Sequence, residues 1–592
     1  MRRKILLVTL MLVALLVANA VAIAAEPDAD APVFEEAIAT PVGSGVVVQP
    51  KDAAGPATYM VILNDVPLAS YRGGIEGLAA TNLSASGSSK VNANSAASEA
   101  YLAYLDGRRA AAIADANAAI GRSLNILFEY KASISGYAAE MTPAEAAVIA
   151  KLGNVKFVER ERMFEVQTDA GPAWIGATTI WDGTATGGVG TEGEGVLVGV
   201  IDTGIDPWNP SFATTGDDGY THTNPFGAGT FLGVCDPTNT SPPAGEVAYD
   251  PTFPCNDKLV GVYGYTASDP NPRDGDGHGS HTASTVAGNH IITSTITTPT
   301  DVYTATISGV APHANIIMYD GCIDGGGCPG ASLSAARDQL ILDGVDVVNY
   351  SIGSGSPTGD PWADTEALQW LAIRDAGIFV ATSAGNAGPG DATIGSTGDL
   401  PWLTTVAAAS HNRAFLQELT LDDGVNPPLT LAGLAMSSGL AATPIVFAED
   451  YANPPTISVD DARLCKDGIF PPGTFSGEIV ICERGTYGRV AKGQTVLDGG
   501  ASGYILAQPT AVGGGPGALS ADSHVLPAIH IDYTTYQQLK DYIAAATGTV
   551  NGTIAGATLD VADAHGDILA AFSSRGPNRG FFTRSEERRV GK

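Results

Sequence analysis

Basic residues are scarce in this chain. Its 31 lysines and arginines stand against 63 acidic residues, a formal net charge of −32. Affinity for nucleic acid comes largely from Lys and Arg on phosphates, so no nucleic-acid partner is expected. The same deficit argues against docking on an anionic membrane surface. Charge of either sign is thin, at 16% of residues where about 25% is usual. Beyond the first 25 residues no apolar run is long enough to cross a bilayer, which takes about 20 residues, so no stable membrane anchor is expected. None of the six cysteines falls in a C-x-x-C pair, which weakens a metal-binding reading of them.

What is present points to a large exported protein. A chain of 592 residues exceeds the usual domain size of about 100–200 several times over, so a large core domain with at least two smaller modules is expected. Hydrophobic residues make up 44%, a globular proportion, and 72 glycines with 36 prolines imply many loops but show no strict repeat. Arg2, Arg3 and Lys4 precede an uncharged apolar run over 5–17, and small residues follow, with Ala18-Asn19-Ala20 or Ala22-Ile23-Ala24 as cleavage candidates. That pattern reads as a signal peptide over 1–25, hence secretion. The acidic surface then serves solubility outside the cell. Six cysteines suit an oxidising destination. They lie as sequence-local neighbours, Cys235 with Cys255, Cys322 with Cys328 and Cys465 with Cys482, although six cysteines allow fifteen pairings and locality does not choose among them.

Along the chain, 26–55 reads as a linker rich in Ala, Pro, Asp and Val. Residues 57–65 alternate like a strand, 97–120 read as an Ala-rich helix, and 124–130 as a second strand. The T-P-A-E at 142–145 opens a helix running to 152, with Thr142 as N-cap, Pro143 at the first position and Glu145 three residues on. Residues 155–164 read as a last strand, which completes a small α+β domain. From 195 onward strands (196–201, 345–349, 378–382) alternate with helices (332–342, 365–376), implying a parallel sheet with right-handed crossovers. In such sheets the chemistry sits just past the carboxyl ends of the strands. Residues 440–550 form another unit, with strands at 477–482 and 503–506 and a helix at 536–545. A strand-like pattern resumes at 568–572.

Four segments carry the chemistry. Asp202 ends the first strand in VIDTGID; His278 lies in DGDGHGSHTAS at what reads as a helix start; Ser351, Ile352 and Gly353 follow the strand DVVNY; Asn386 follows the next strand in SAGNAGPG. Singly each is weak. His278 and His281 could share a metal but lack a third ligand nearby, and Asp274 with Asp276 covers only part of a calcium loop.

Together and in this order they resemble the subtilisin-like serine peptidases. VIDTGID is similar to that family's aspartate segment, GHGSH to its G-H-G-T-H with Ser280 for threonine, SAGNAG to its asparagine segment, and FSSRGPN at 572–578 to the segment before the nucleophile. The resemblance covers about 168–578 with one insertion. It implies a three-layer α/β catalytic domain around a parallel sheet, over 168–582, acting on protein or peptide substrates. A serine hydroxyl needs a neighbouring base. His278 would be that base and Asp202 its orienting partner. Asn386 would donate to the oxyanion. Ser351, Ile352 and Gly353 would pair with substrate backbone, and Ser383, Ala384 and Gly385 would line the pocket beside the scissile bond. No cofactor is implied for the chemistry; no metal ligands are assigned, and structural calcium stays open.

The family's G-T-S-M-A nucleophile segment does not occur among the 592 residues, and Ser573 and Ser574 belong to the strand before it. The basic stretch TRSEERRVGK at 583–592 reads as foreign or frameshifted. The expectation is therefore a truncated catalytic domain that is inactive as it stands. Residues 56–167 resemble the inhibitor-type propeptide of the family, an intramolecular inhibitor with its junction near Gln167 or Thr168. Residues 440–550 resemble a β-rich protease-associated (PA) domain inserted in the catalytic domain. Two other functions compete. An aspartic peptidase also uses D-T-G after an apolar strand, but needs a second carboxylate segment that is not found. A non-catalytic binding protein using the PA domain would fit the missing serine but has no need of Asp202, His278 and Asn386 together.

Overall fold

A computed structural model describes residues 47–48, 56–83, 89–160, 163–166, 171–265, 270–511 and 515–578. The expected signal peptide, nearly all of the linker, the junction at 167–168 and the 583–592 stretch lie outside the described residues. Seven parallel strands make the central sheet, in the order Thr404–Val406, Phe379–Ser383, Val347–Tyr350, Leu197–Asp202, Asn315–Asp320, Leu259–Gly264, Leu232–Gly233. Both faces of this sheet are covered, which is why its strands read as unbroken apolar runs. Successive side chains sort into two layers. Val198, Val200, Ile316 and Met318 pack with Ala283 and Ala287 of helix His278–Ala287. Leu197, Ile201, Ile317 and Tyr319 pack with Leu333 and Leu340 of helix Gly330–Asp343 and Trp370 of helix Thr365–Asp375. The result is the expected helix–sheet–helix sandwich. From Leu197–Asp202 the chain passes to the edge strand Leu232–Gly233 and returns inward through Leu259–Gly264 to Asn315–Asp320. It then crosses Leu197–Asp202 to wind outward from Val347–Tyr350, so the carboxyl end of Leu197–Asp202 lies where the winding changes side.

The amino-terminal α+β domain is an antiparallel sheet of Val155–Arg160, Ala57–Leu63, Gly136–Met141 and Ile126–Tyr130, with Val47–Val48 added in parallel at one edge. Its helices are Ala96–Ile120 and Pro143–Ile149. Thr142 accepts from the Glu145 N–H while Glu145 reaches back to Thr142 N–H, the reciprocal cap that the T-P-A-E motif predicts. Alternation over 57–65 predicts one solvated face, yet five consecutive residues of Ala57–Leu63 are buried. Tyr59, Val61 and Leu63 face the domain's own helices, whereas Met60 and Ile62 pack in the same cluster as Leu333 and Trp370. The larger domain covers the second face. The expected strand 155–164 also divides: Met163–Val166 leaves this sheet and pairs antiparallel with Cys328–Pro329 and Ile352–Gly353.

The third unit is wider than 440–550. Its eight-stranded sheet takes in Arg413–Asp422, Leu429–Leu434 and Thr558–Val561, and the pairing of Arg413–Asp422 with Leu429–Leu434 closes it like a barrel. The strand expected at 568–572 is not formed. That segment makes a single bridge, Ala409 to Leu569, with Ser410 N–H donating to Ile568 and Ala570 N–H to Ala408. It serves as the return limb where the insertion rejoins the core, and two such strands crossing between units have no ladder to extend. Disulfides join Cys235–Cys255, Cys322–Cys328 and Cys465–Cys482.

Candidate active site

Asp202 sits at the carboxyl end of the central strand, wholly buried. Three groups donate to its carboxylate: His278 Nδ1 at 2.6 Å and the Thr203 N–H at 2.9 Å to Oδ1, and the Thr282 hydroxyl at 3.0 Å to Oδ2. A buried carboxylate is tolerated only with such partners. His278 opens its helix because Gly277, at φ 96°, turns the chain where a side chain would be strained. The fraction of a calcium loop considered for Asp274 has a different use. Its Oδ1 accepts from Gly277 N–H at 2.7 Å and Thr203 hydroxyl at 3.0 Å, and its Oδ2 from Ser280 N–H and hydroxyl at 2.7 and 2.6 Å. Asp274 thus caps the His278 helix and ties it to the Asp202 strand. Ser280, the residue standing for threonine in GHGSH, also accepts from Asp206 N–H at 2.8 Å.

A cavity of about 200 Å³ lies alongside. Ser351, Ser383, Ala384, Gly385 and Asn386 line it, opposite Thr282 from the His278 helix. Thr282 therefore touches both the carboxylate and the cleft, a position without a sequence signal beyond lying one helical turn after His278. Ile352 and Gly353 are not cavity walls; they form the rail paired with Val166 and Glu165. The strand Met163–Val166 lies between that rail and Cys328–Pro329 as an extended peptide added to two edges. Ser573 and Ser574 are buried, and their hydroxyls accept from Ala408 N–H and Ala387 N–H, both at 3.0 Å. They brace the Asn386 segment and are engaged as acceptors.

Residues 193–584 match the Subtilase family (Peptidase S8). The chain belongs to the subtilase family. Residues 86–167 match Peptidase inhibitor I9, so the amino-terminal domain of this subtilase is a propeptide of that type. Subtilisin-like protease SBT1.4 of Arabidopsis thaliana is 31% identical over 478 residues, covering 76% of this chain and 56% of the relative. Subtilisin-like protease SBT5.4 of the same plant is 32% identical over 479 residues, with shares of 76% and 56%. The subtilase thus spans about half the length of the curated relatives it matches. Among solved structures, psychrophilic subtilisin-like protease Apa1 from Pseudoalteromonas sp. AS-11 is 17% identical, with a TM-score of 0.31 over 68% of this chain and 84% of that one.

The propeptide is held by buried polar contacts as well as by its apolar face. Asp338, on helix Gly330–Asp343, accepts from the N–H groups of Lys131, Ala132 and Ser133 at 3.0, 2.8 and 2.7 Å, and from the Ser133 hydroxyl at 2.9 Å. Burial nevertheless pushes the Asp338 carboxyl above its ordinary range. Glu159 accepts from Thr365 N–H at 2.8 Å at the start of helix Thr365–Asp375, where a carboxylate satisfies an orphan donor and faces the positive end of the helix dipole.

Proposed function

We propose that this subtilase is a secreted serine endopeptidase, made as an autoinhibited precursor, that cleaves protein or peptide substrates with an Asp-His-Ser triad. The observation that carries the reading is the 2.6 Å bond from His278 Nδ1 to buried Asp202, beside a cleft lined by Ser351 and Asn386. With Nδ1 engaged, the proton-accepting nitrogen of His278 is Nε2, as a base for a serine requires. The imidazolium formed on taking that proton is stabilised by Asp202, which His278, Thr203 and Thr282 hold in place. Asn386 donates to the developing oxyanion, and Ile352 and Gly353 hold the substrate backbone as they hold Glu165 and Val166. The propeptide strand thereby occupies the rail that substrate needs. None of these 592 residues is assigned as the nucleophile, and the chemistry calls for side chains and water alone. Export follows from the basic and apolar start of the chain, and no described helix is long and apolar enough to cross a membrane.

We read the eight-stranded unit as the PA-type insertion. It leaves and re-enters the core at 408–410 and 567–570, adjoining Ala407 and Ala408 on the cavity wall, so a substrate reaching the cleft passes close to it.

The experiment is to complete the domain by joining a G-T-S-M-A nucleophile segment and the remainder of a subtilase domain after Asn578, let the propeptide be removed, and measure peptide hydrolysis and labelling by a fluorophosphonate. Asp202→Asn should leave the fold intact and cut turnover by about 10⁴, the size of effect seen when a triad aspartate is lost in chymotrypsin-type enzymes. Full turnover in that variant, or no labelling of the completed wild type, would sink the triad assignment.

A further inference from the structure

At the opposite end of the central sheet four segments distant in sequence converge. Glu192 and Glu194 lie on the lead-in to strand Leu197–Asp202, and Asp218 in the turn bridged by Thr215 and Thr221. His290 follows helix His278–Ala287, and His313 sits just ahead of strand Asn315–Asp320. Because these strands are parallel, their amino ends are a full strand length from Asp202, roughly 17–20 Å for six residues.

One side-chain atom each from Glu192, Asp218, His290 and His313 lies within 4.8 Å of all the others. His290 Nε2 is 2.6 Å and His313 Nε2 3.6 Å from Glu192 Oε2, and His313 Nε2 is 2.7 Å from Asp218 Oδ2. The surroundings aim these atoms inward. His313 Nδ1 lies 2.6 Å from Glu194 Oε1 and donates to it, so Nε2 is the nitrogen aimed at the cluster, where a bound ion would displace the proton it now shares with Asp218. Glu194 is itself fixed through Oε2 by the Thr191 hydroxyl at 2.7 Å and Glu192 N–H at 3.0 Å. Tyr220 N–H holds Asp218 Oδ1 at 3.2 Å, turning Oδ2 inward. The Tyr220 ring stacks on His313 with centroids 3.8 Å apart, and Trp181 meets His290 edge-on at 5.4 Å.

We propose that Glu192, Asp218, His290 and His313 form a structural site for a divalent first-row transition ion, with zinc the best fit. Two imidazoles with two carboxylates suit zinc, whereas calcium and magnesium take oxygen ligands almost throughout. A tetrahedral site with bonds of about 2.0–2.1 Å has ligand–ligand edges of about 3.3 Å. The two short His–carboxylate separations need to open by under about 1 Å to admit the ion. Glu194 behind His313 is the carboxylate–histidine support that zinc sites employ. Four protein ligands leave no open position for a reactive water, and the catalytic crevice is at the other end of the sheet. The ion therefore pins the lead-in, the turn, the helix end and the strand start to one another, independently of the serine chemistry.

The test uses the full 592-residue chain, stripped with a chelator and titrated with zinc chloride. Bound zinc is measured by mass spectrometry after gel filtration, and the unfolding temperature with and without zinc. The proposal expects about one zinc per chain, X-ray absorption showing nitrogen and oxygen at about 2.0–2.1 Å with imidazole scattering, and a rise in unfolding temperature on adding zinc. His290→Asn should lose the bound zinc. Glu194→Gln should weaken binding by about 10–100-fold, a loss specific to support of a ligand. Asp218→Asn, at an exposed turn, is the variant least able to disturb folding and should also lose stoichiometric zinc. Substoichiometric zinc in the wild-type chain overturns the proposal. So does zinc retained undiminished in folded Asp218→Asn and His290→Asn, or an equal rise in unfolding temperature with calcium.

Discussion

Replacing Glu366 by leucine tests how the substrate rail is supported. Arg337 and Glu366 are 1% and 3% exposed, and their Nη2 and Oε1 atoms are 2.7 Å apart. The Tyr350 hydroxyl accepts from the same nitrogen at 2.7 Å, the Thr397 hydroxyl donates to Glu366 Oε1 at 2.5 Å, and the guanidinium lies over the rings of Tyr350 and Trp370 at 5.2 and 5.1 Å. The pair thus locks the two helices that carry the propeptide to the strand just before Ser351. Opposite charges about 4 Å apart attract by about 4 kcal/mol at an effective dielectric near 20. Stranding one charge of a buried pair costs about 3–5 kcal/mol. Glu366→Leu, and separately Arg337→Met, should each lower the unfolding free energy by that amount. The double variant strands no charge and leaves the Tyr350 and Thr397 hydroxyls short of a partner, at about 1–3 kcal/mol each. It should therefore be less destabilised than the sum of the singles, by about 4 kcal/mol at the midpoints of these ranges. Denaturant unfolding followed by tryptophan fluorescence measures this, with hydrogen exchange at Ile352 reporting the rail. Strict additivity of the two substitutions would mean that Arg337 and Glu366 do not act as a pair.

Two further outcomes follow from the site and its surroundings. In the completed enzyme Asn386→Ala should reduce kcat by about 10²–10³ with little change in KM, a magnitude known from subtilisin itself; an unchanged kcat would remove Asn386 from the oxyanion role. Burial, with the Asp343 and Asp338 carboxylates nearby, raises the Glu246 carboxyl from 4.5 to about 7. A carboxyl that binds its proton more tightly folded than unfolded stabilises the fold fully below about 4.5 and withdraws that stability as pH rises to about 7, at most about 3 kcal/mol. Thermal unfolding between pH 4.5 and 7.5 should show this decline, and Glu246→Gln should flatten it; an unaltered slope would assign the decline to other groups.

Local chemistry was legible because short stretches of sequence control it. The reciprocal cap at Thr142 and Glu145 needs four residues, and the helix start at His278 needs Gly277 and Asp274 close by. The apolar run ending in Asp202 announced a strand buried on both faces with an acid at its end, and its pairing with His278 was implied by the family resemblance that the motifs carry together. Tertiary structure decided the rest. Alternation in Ala57–Leu63 could not disclose that the larger domain covers its second face, since period two marks which residues share a face and not what lies above it. The barrel-like unit begins at Arg413 and not near 440, because closure depends on which strand ends meet in space. Thr282 and Asp274 acquired their roles only once strand and helix were side by side. The cluster of Glu192, Asp218, His290 and His313 has no local spacing to betray it, for four separate loops supply one residue each, and the amino edge of a parallel sheet brings them together.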